Sequence, residues 1–154
     1  MSVKPKSEAD NVLYAEMERM LTYIRDEATV PRAFKSTSDS IITFLHTALR
    51  QHIRSVLIPV LYRLRTRIRT GDPGYFASDA FIKSVGAAVK ERCAELVDSG
   101  EFQEGTSEKI SPILGQILDC VNIVARAHQQ GDVAGFEFLI ERLRNILDDI
   151  VATK

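Results

Sequence analysis

Residues 56–69 of this chain are VLIPVLYRLRTRIR, and whether they form a strand or a helix decides the class of fold. From Arg63 onward every second residue is arginine, which in a strand would place four arginines on one face. The apolar positions favour a helix, because at helical spacing they fall within an arc of about 140°. These positions are Val56, Leu57, Val60, Leu61, Leu64 and Ile68. We therefore predict a helix with one buried stripe.

The arginines of this helix border the predicted stripe on both sides. Arg63 and Arg67 lie on one shoulder, and Arg54, Arg65 and Arg69 lie on the other. An arginine at the edge of a buried stripe covers apolar surface with its aliphatic stem, while its guanidinium reaches solvent or a carboxylate. Both shoulders are therefore expected to find carboxylates, either within the chain or on a partner.

The charges of the chain are strongly segregated along the sequence. Residues 40–71 contain no acidic residue and six arginines: Arg50, Arg54, Arg63, Arg65, Arg67 and Arg69. The rest of the chain then carries 14 basic and 21 acidic side chains, although the formal net charge of the whole is only −1. This polarity is the clearest functional signal in the sequence.

Three interpretations of the arginine-rich helix remain open. It is either a solvated helix paired with the acidic remainder of the chain, or an exposed patch that binds an acidic protein partner. The third interpretation is a site for the phosphates of nucleic acid or anionic lipid. Binding through phosphate contacts usually needs a basic domain, whereas the isoelectric point here is about 6.3.

Working outward from this helix, apolar residues at helical spacing predict five more helices. They cover residues 7–27, 41–53, 78–100 and 111–128, and the segment after Asp132. The arginine-rich helix is the third of the six, and Pro59 is expected to kink it or to occupy its first turn. The segment 71–74 (GDPG) is expected to end this helix. Residues 101–107 are expected to form a loop, and Ser111 and Pro112 suit the start of the next helix.

We predict an all-α fold with a single compact domain of about six helices. The domain spans residues 7–154, follows a flexible N-terminus at residues 1–6, and is a bundle or a cyclin- or HEAT-like stack.

The longest apolar run, residues 56–62, is far below the length of a transmembrane helix, and no secretory signal is visible. Cys93 and Cys120 are isolated, as is typical of buried thiols in a reducing compartment, so we expect a cytoplasmic or nuclear protein.

Catalytic and metal-binding groups are sparse. Two glutamate pairs have i, i+4 spacing, 91/95 and 137/141, but no histidine follows at the offset of bundle di-iron sites, and Arg144 is within reach of Glu141. The three histidines, His46, His52 and His128, are scattered along the chain. No nucleotide-binding, hydrolase or zinc motif is present. We therefore expect no enzymatic activity, no cofactor and no metal site.

With the helices placed, the order of residues from Ala33 onward resembles the cyclin box of P-type (phosphate-pathway) cyclins. Residues 33–36 (AFKS) and 41–45 (IITFL) are similar to the entry into its first helix, and 60–64 (VLYRL) to its second. Residues 84–90 (SVGAAVK) are similar to the third-helix segment whose lysine, here Lys90, faces the kinase. The resemblance implies a regulatory subunit that binds a protein kinase.

The leading hypothesis is a non-catalytic helical adaptor or regulatory domain that docks an acidic protein partner through the arginine-rich helix, residues 50–69. The alternatives are a cyclin-like subunit that binds a kinase, and a binder of nucleic acid or anionic lipid through the same helix. Self-association is a further hypothesis, because Phe138 lies off the main apolar stripe of the last helix.

Overall fold

The computed structural model describes residues 5–152, and within them the side chains of residues 12–150. These residues form eight α-helices and no strand. The helices are α1 (Pro5–Asp26), α2 (Arg32–Phe44), α3 (Arg50–Arg63), α4 (Arg65–Thr70), α5 (Pro73–Phe76), α6 (Asp79–Asp98), α7 (Thr106–Gln129) and α8 (Val133–Ala152). The all-α prediction is thus confirmed for the described residues, with eight helices rather than about six. Residues 1–4 of the predicted flexible N-terminus lie outside the described residues, and Pro5 begins α1.

The stretch 56–69 is helical, as predicted, but it is divided between two helices. Leu64 has φ −91° and ψ 7° and interrupts the helical conformation, so α3 ends at Arg63 and α4 begins at Arg65. The stripe continues across this break, because Leu64 is half-buried and Ile68 is fully buried. The other stripe residues are buried too: Val56, Leu57, Val60 and Leu61.

The predicted extent of the second helix is wrong. α2 ends at Phe44 and α3 begins at Arg50, and residues 45–49 lie outside both helices. Thr47 supplies a physical reason, because its hydroxyl donates to the carbonyl of Phe44 at 2.7 Å and accepts from the N–H of Leu49 at 3.3 Å. A threonine that bonds to nearby backbone groups competes with the helical hydrogen bonds.

Pro59 lies inside α3 rather than in its first turn. Because proline has no N–H, the carbonyl of Ser55, four residues earlier, loses its helical donor. Arg92 of α6 replaces that donor, since its Nε donates a hydrogen bond to the Ser55 oxygen at 3.2 Å. The proline therefore creates the acceptor for a tertiary hydrogen bond that ties α3 to α6.

The predicted break at residues 71–74 is confirmed, and it includes the start of a short helix. Gly71 ends α4 with φ +67°, in the left-handed region that favours glycine. Asp72 then caps α5, because its side chain accepts the N–H of Gly74 at 3.0 Å, and Pro73 occupies the first turn. α5 and the division at Leu64 account for the two additional helices.

The limits of α6 were predicted well, but the start of α7 was not. Ser78 caps α6 by accepting the N–H of Phe81 at 3.4 Å, and Gly100 follows its end with φ +84°. α7 begins at Thr106, within the segment 101–107 that was predicted to be a loop, so Pro112 lies inside the helix. The early start adds the fully buried Ile110 to the core.

α7 is the central helix of the bundle. It packs against α2, α3, α5, α6 and α8, while α1 packs against α2 and α8. Among the described residues, α7 is long and apolar enough to cross a membrane. Half of its most apolar 18-residue window is buried in the fold, and the core helix of a bundle has the same length and apolarity. Cys93 and Cys120 are free and buried, as predicted.

The buried Asn122 positions the short helix α5 on α7. Its Nδ2 donates to the carbonyl of Phe76 at 2.8 Å, and its Oδ1 accepts from Nε of Arg126 at 2.9 Å. Phe76 is itself buried and packs its ring against Phe81 and Phe136, with centroids 5.1 and 5.7 Å away. α5 is therefore fixed to the core at its last residue.

Candidate interaction surface

Four exposed arginines of α3 and α4 form what we call the arginine surface: Arg63, Arg65, Arg67 and Arg69. They flank the buried stripe, and the two flanks face different parts of the molecule. Arg63 and Arg67 contact residues of α6 and α5, whereas Arg69 contacts α8. The contacts of Arg63, Arg67 and Arg69 agree with the predicted division between two shoulders, whereas Arg65 contacts Tyr62 of α3.

One arginine on each flank is paired with a carboxylate of the chain. Nη2 of Arg63 lies 2.5 Å from Oε1 of Glu91 on α6, and Nη2 of Arg69 lies 2.9 Å from Oδ1 of Asp148 on α8. The hydrogen bond to Glu91 raises the pKa of the Arg63 guanidinium. All four side chains are more than half exposed, so solvent screens both pairs and their contribution to stability is small.

The other arginine on each flank lies over a tyrosine ring. Cζ of Arg65 is 4.3 Å from the ring centroid of Tyr62, and Cζ of Arg67 is 4.2 Å from that of Tyr75. Arg65 also donates from Nη1 to the carbonyl of Tyr62 at 2.8 Å. Neither guanidinium forms an ion pair with a carboxylate in the described part of the chain. These two cations are therefore held in position without being neutralised.

The ring beneath Arg67 is fixed by the aromatic core. Tyr75 meets Phe76 and Phe81 edge to face, with centroids 5.4 and 5.8 Å away. Both phenylalanines are buried, so the half-buried tyrosine has little freedom to move. The position of the Arg67 guanidinium is thus linked through Tyr75 to the packing of α5 on α6.

Arg144 supports the arginine surface from α8, and sequence reasoning missed this role. Its Nε donates to the carbonyl of Ile68 at 3.2 Å, and its Nη2 donates to the carbonyl of Arg69 at 3.0 Å. The last carbonyls of a helix lack helical donors, so these bonds cap the C-terminus of α4. The sequence placed Arg144 beside Glu141, but it is Arg142 that pairs with Glu141, at 3.4 Å.

The structure does not bring all seven sequence-predicted residues together. Arg50 lies at the start of α3, with Cζ 4.9 Å from the ring centroid of Tyr14, and is separated from Arg63 by roughly 20 Å of helix. Arg54 is half-buried. Lys90 is exposed in a groove between α6 and α7, whereas its neighbour Glu91 faces α3. The four arginines that begin with Arg63 are exposed and close together in sequence, on the two flanks of one buried stripe.

The remaining candidates for chemistry lie apart from one another. Among the described residues, no three His, Cys, Asp or Glu side chains come close enough to hold a metal ion. Nε2 of His46 lies 3.2 Å from Oε1 of Glu18, while His52 and His128 pack edge to face against Phe102 and Phe136. Burial raises the pKa of the Cys120 thiol, which disfavours a reactive thiolate.

Comparison with known proteins gives no relative. No protein-family model, no curated protein and no solved structure matches this chain. The class that the fold defines is a compact all-helical domain, and its most distinctive surface is the arginine surface. The resemblance to the P-type cyclin box stays a prediction.

Proposed function

We propose that this chain is a non-catalytic helical interaction domain that binds an acidic protein surface through Arg65 and Arg67. The observation that carries the proposal is that both guanidiniums are exposed, are held on tyrosine rings, and lack a carboxylate partner in the described residues. Arg63 and Arg69 already have carboxylate partners, so we do not expect them to form new ion pairs.

The physical basis of the proposal is preorganisation. A free arginine side chain loses much rotamer entropy when it binds a carboxylate, but contact with an aromatic face removes part of that cost beforehand. The planar guanidinium can then engage a carboxylate through two parallel hydrogen bonds. An acidic protein segment is therefore the ligand to which Arg65 and Arg67 are best suited.

Phosphate ligands are the alternative for the same cations. Strong binding to nucleic acid usually needs several phosphate contacts, and sequence-tolerant binding to single strands also uses open aromatic faces for base stacking. Here the two tyrosine rings are covered by guanidiniums, and the isoelectric point is about 6.3. These observations favour a protein partner.

A kinase bound as the cyclin resemblance implies would use Lys90, which lies in a different groove.

The test compares three forms of the full chain by fluorescence anisotropy and vesicle co-sedimentation. The probes are polyglutamate, a DNA duplex and phosphatidylserine vesicles. We expect the wild-type chain to bind polyglutamate, R65E/R67E to lose that binding, and R32E/K109E to retain it. Arg32 and Lys109 are exposed on α2 and α7, so this control carries the same charge change away from the arginine surface.

Two outcomes would contradict the proposal. Equal binding of polyglutamate by R65E/R67E and the wild-type chain would remove the arginine surface from the interaction. Binding to DNA or vesicles but not to polyglutamate would assign the surface to phosphates, and that binding should weaken steeply between about 50 and 200 mM salt. If polyglutamate binds as expected, a pull-down with the wild-type chain and with R65E/R67E can identify the acidic protein. The partner is the protein that mass spectrometry finds with the wild-type chain and not with the variant.

A further inference from the structure

A second surface of the molecule has the opposite chemistry. An open groove of about 610 Å³ runs between α1 and the start of α8, and we call it the acidic groove. Its size is within the range of ligand-binding sites in proteins, about 300–1,000 Å³. Its lining residues are Ala15, Glu18, Arg19, Thr22, Tyr23, Glu27 and Phe138.

The acidic groove has an aromatic wall that the fold holds in place. The rings of Tyr23 and Phe138 are stacked, with centroids 4.8 Å apart and planes 17° from parallel. Gly135 lies against this wall, since a Cβ at that position would meet Cε1 of Tyr23 at 3.5 Å, an ordinary van der Waals contact. The sequence singled out Phe138 as lying off the main apolar stripe, and in the structure it is half-buried at this groove.

Carboxylates dominate the charge at the acidic groove. Burial raises the pKa of the Tyr23 hydroxyl, and the negative charges of Asp132 and Glu27 raise it further, so this part of the groove lies in a negative field. Two arginines of the described residues lie at the groove, and both are paired with carboxylates. Nη1 of Arg19 lies 3.1 Å from Glu16, and Arg142, whose Cζ is 4.8 Å from the ring centroid of Phe138, pairs with Glu141 at 3.4 Å. Glu18 lies 3.2 Å from His46, which neutralises it only when the imidazole is protonated.

Within one molecule, the carboxylates of the acidic groove do not pair with the guanidiniums of the arginine surface. In the described residues no ion pair joins Glu18 or Glu27 to the arginine surface, which lies on α3 and α4 rather than on α1 and α8. Each molecule thus presents guanidiniums without carboxylates at one place and carboxylates beside an aromatic wall at another. Opposite charges on separate surfaces steer two molecules together.

We propose that the acidic groove receives Arg65 and Arg67 of a second copy of this chain. The inference rests on the proposed function, because it names the acidic surface that the arginine surface binds. Glu18 and Glu27 would take the guanidiniums, and Tyr23 with Phe138 would supply apolar contact beside them. Repeated head-to-tail, this contact leaves one surface of each kind unoccupied at the ends of the assembly, whereas a reciprocated contact closes a two-fold dimer.

The proposed contact makes a specific prediction for sedimentation velocity. We expect the wild-type chain to self-associate as its concentration rises, into a dimer where the contact is reciprocated and into larger assemblies where it repeats head-to-tail, and to dissociate as salt screens the exposed charges. R65Q/R67Q and E18Q/E27Q should each be monomeric alone. An equimolar mixture of the two should stop at a one-to-one dimer, because the mixture provides one intact arginine surface and one intact groove per pair.

The matched controls are R32Q/K109Q and E101Q/E104Q, which neutralise exposed residues elsewhere and should assemble like the wild-type chain. A wild-type chain that stays monomeric at millimolar concentration would overturn the inference, as would a mixture that forms no dimer. If that monomer still binds polyglutamate through Arg65 and Arg67, the proposed function stands and only the identity of the partner is wrong. If R65E/R67E binds polyglutamate as well as the wild-type chain does, the proposed function itself is wrong.

Discussion

Arg144 of α8 donates from Nε to the carbonyl oxygen of Ile68 at the end of α4, at 3.2 Å. Ile68 is fully buried, so the same residue is fixed by its side chain in the core and by its carbonyl at the surface. A second bond from Arg144 reaches the carbonyl of Arg69 at 3.0 Å. The short helix that carries three of the four surface arginines is therefore oriented by a residue far away in sequence.

Removing this anchor should destabilise the fold measurably. We expect Arg144→Ala to lower the free energy of unfolding by about 1–2 kcal/mol, because two helix-end carbonyls lose a charged donor. Gly71→Ala should also destabilise, since φ there is +67° and the new Cβ would lie 2.5 Å from Nη2 of Arg144. In urea unfolding, the loss of free energy of unfolding in the double variant should be smaller than the sum of the losses in the two single variants, because the clash disappears with Arg144. Strict additivity would contradict the contact.

Pro59 and Arg92 should be coupled in the same way. Arg92→Ala removes the donor that serves the Ser55 carbonyl, so we expect a loss of about 1 kcal/mol in the free energy of unfolding. In a Pro59→Ala background the residue at 59 regains its N–H and can serve that carbonyl, so the same arginine change should cost less. A double-mutant cycle by chemical denaturation measures the difference, and equal losses in both backgrounds would disprove the coupling.

Asn122 should be the most sensitive polar position of the core. Asn122→Ala leaves the carbonyl of Phe76 without its donor in a buried environment, so we expect a loss of about 2–3 kcal/mol. Thr43→Ala is a suitable comparison, because that exposed hydroxyl donates to the carbonyl of Asp39 in its own helix. If thermal unfolding showed no larger shift for Asn122→Ala, the support of α5 by α7 would have to be reconsidered.

The arginine surface should be separable from stability. Arg65→Glu and Arg67→Glu together should leave the midpoint of thermal unfolding nearly unchanged, because both side chains are exposed and neither forms an ion pair in the described residues. Circular dichroism measures this midpoint directly. A large drop would show that the two arginines are structural, and any loss of binding in that variant would then report misfolding.

Cys120 should contribute to the pH dependence of stability. Its pKa is raised by burial above the ordinary value of 9.0, so the unfolded chain releases the thiol proton at a lower pH than the folded chain does. The contribution is therefore fully present below the pKa of the unfolded chain, and it is lost as the pH rises from there through the higher pKa of the folded chain. We expect Cys120→Ala to weaken the decline of the free energy of unfolding above about pH 9, measured by urea unfolding across pH. An unchanged pH profile would count against a raised pKa.

The elements that follow from local signals were predictable from the sequence. Ser78 and Gly100 mark the ends of α6 by capping chemistry, and the turn before α8 uses Gly131 with φ +112°. The buried stripe of the arginine-rich stretch followed from helical spacing alone. Such signals depend on a few neighbouring residues, so one sequence is enough to recognise them.

The features that were missed depend on contacts distant in sequence. No local pattern reveals that Arg144 caps α4 or that Arg92 replaces the donor missing at Pro59. The break at Leu64 is equally hidden, because Leu64 and Ile68 keep helical spacing across it. At the candidate site, the arginines and their division between two shoulders were predictable from helical spacing. That spacing did not show which of them are neutralised by Glu91 and Asp148.

The division of the arginine-rich stretch at Leu64 makes α4 an exchangeable part of the molecule. Of its six residues only Ile68 is buried, and Leu64 and Gly71 bound it on either side. The other five positions can change in charge and size while the bundle beneath stays the same. A library randomised at those positions should yield folded domains, so the exposed surface of α4 can be redesigned without changing the bundle.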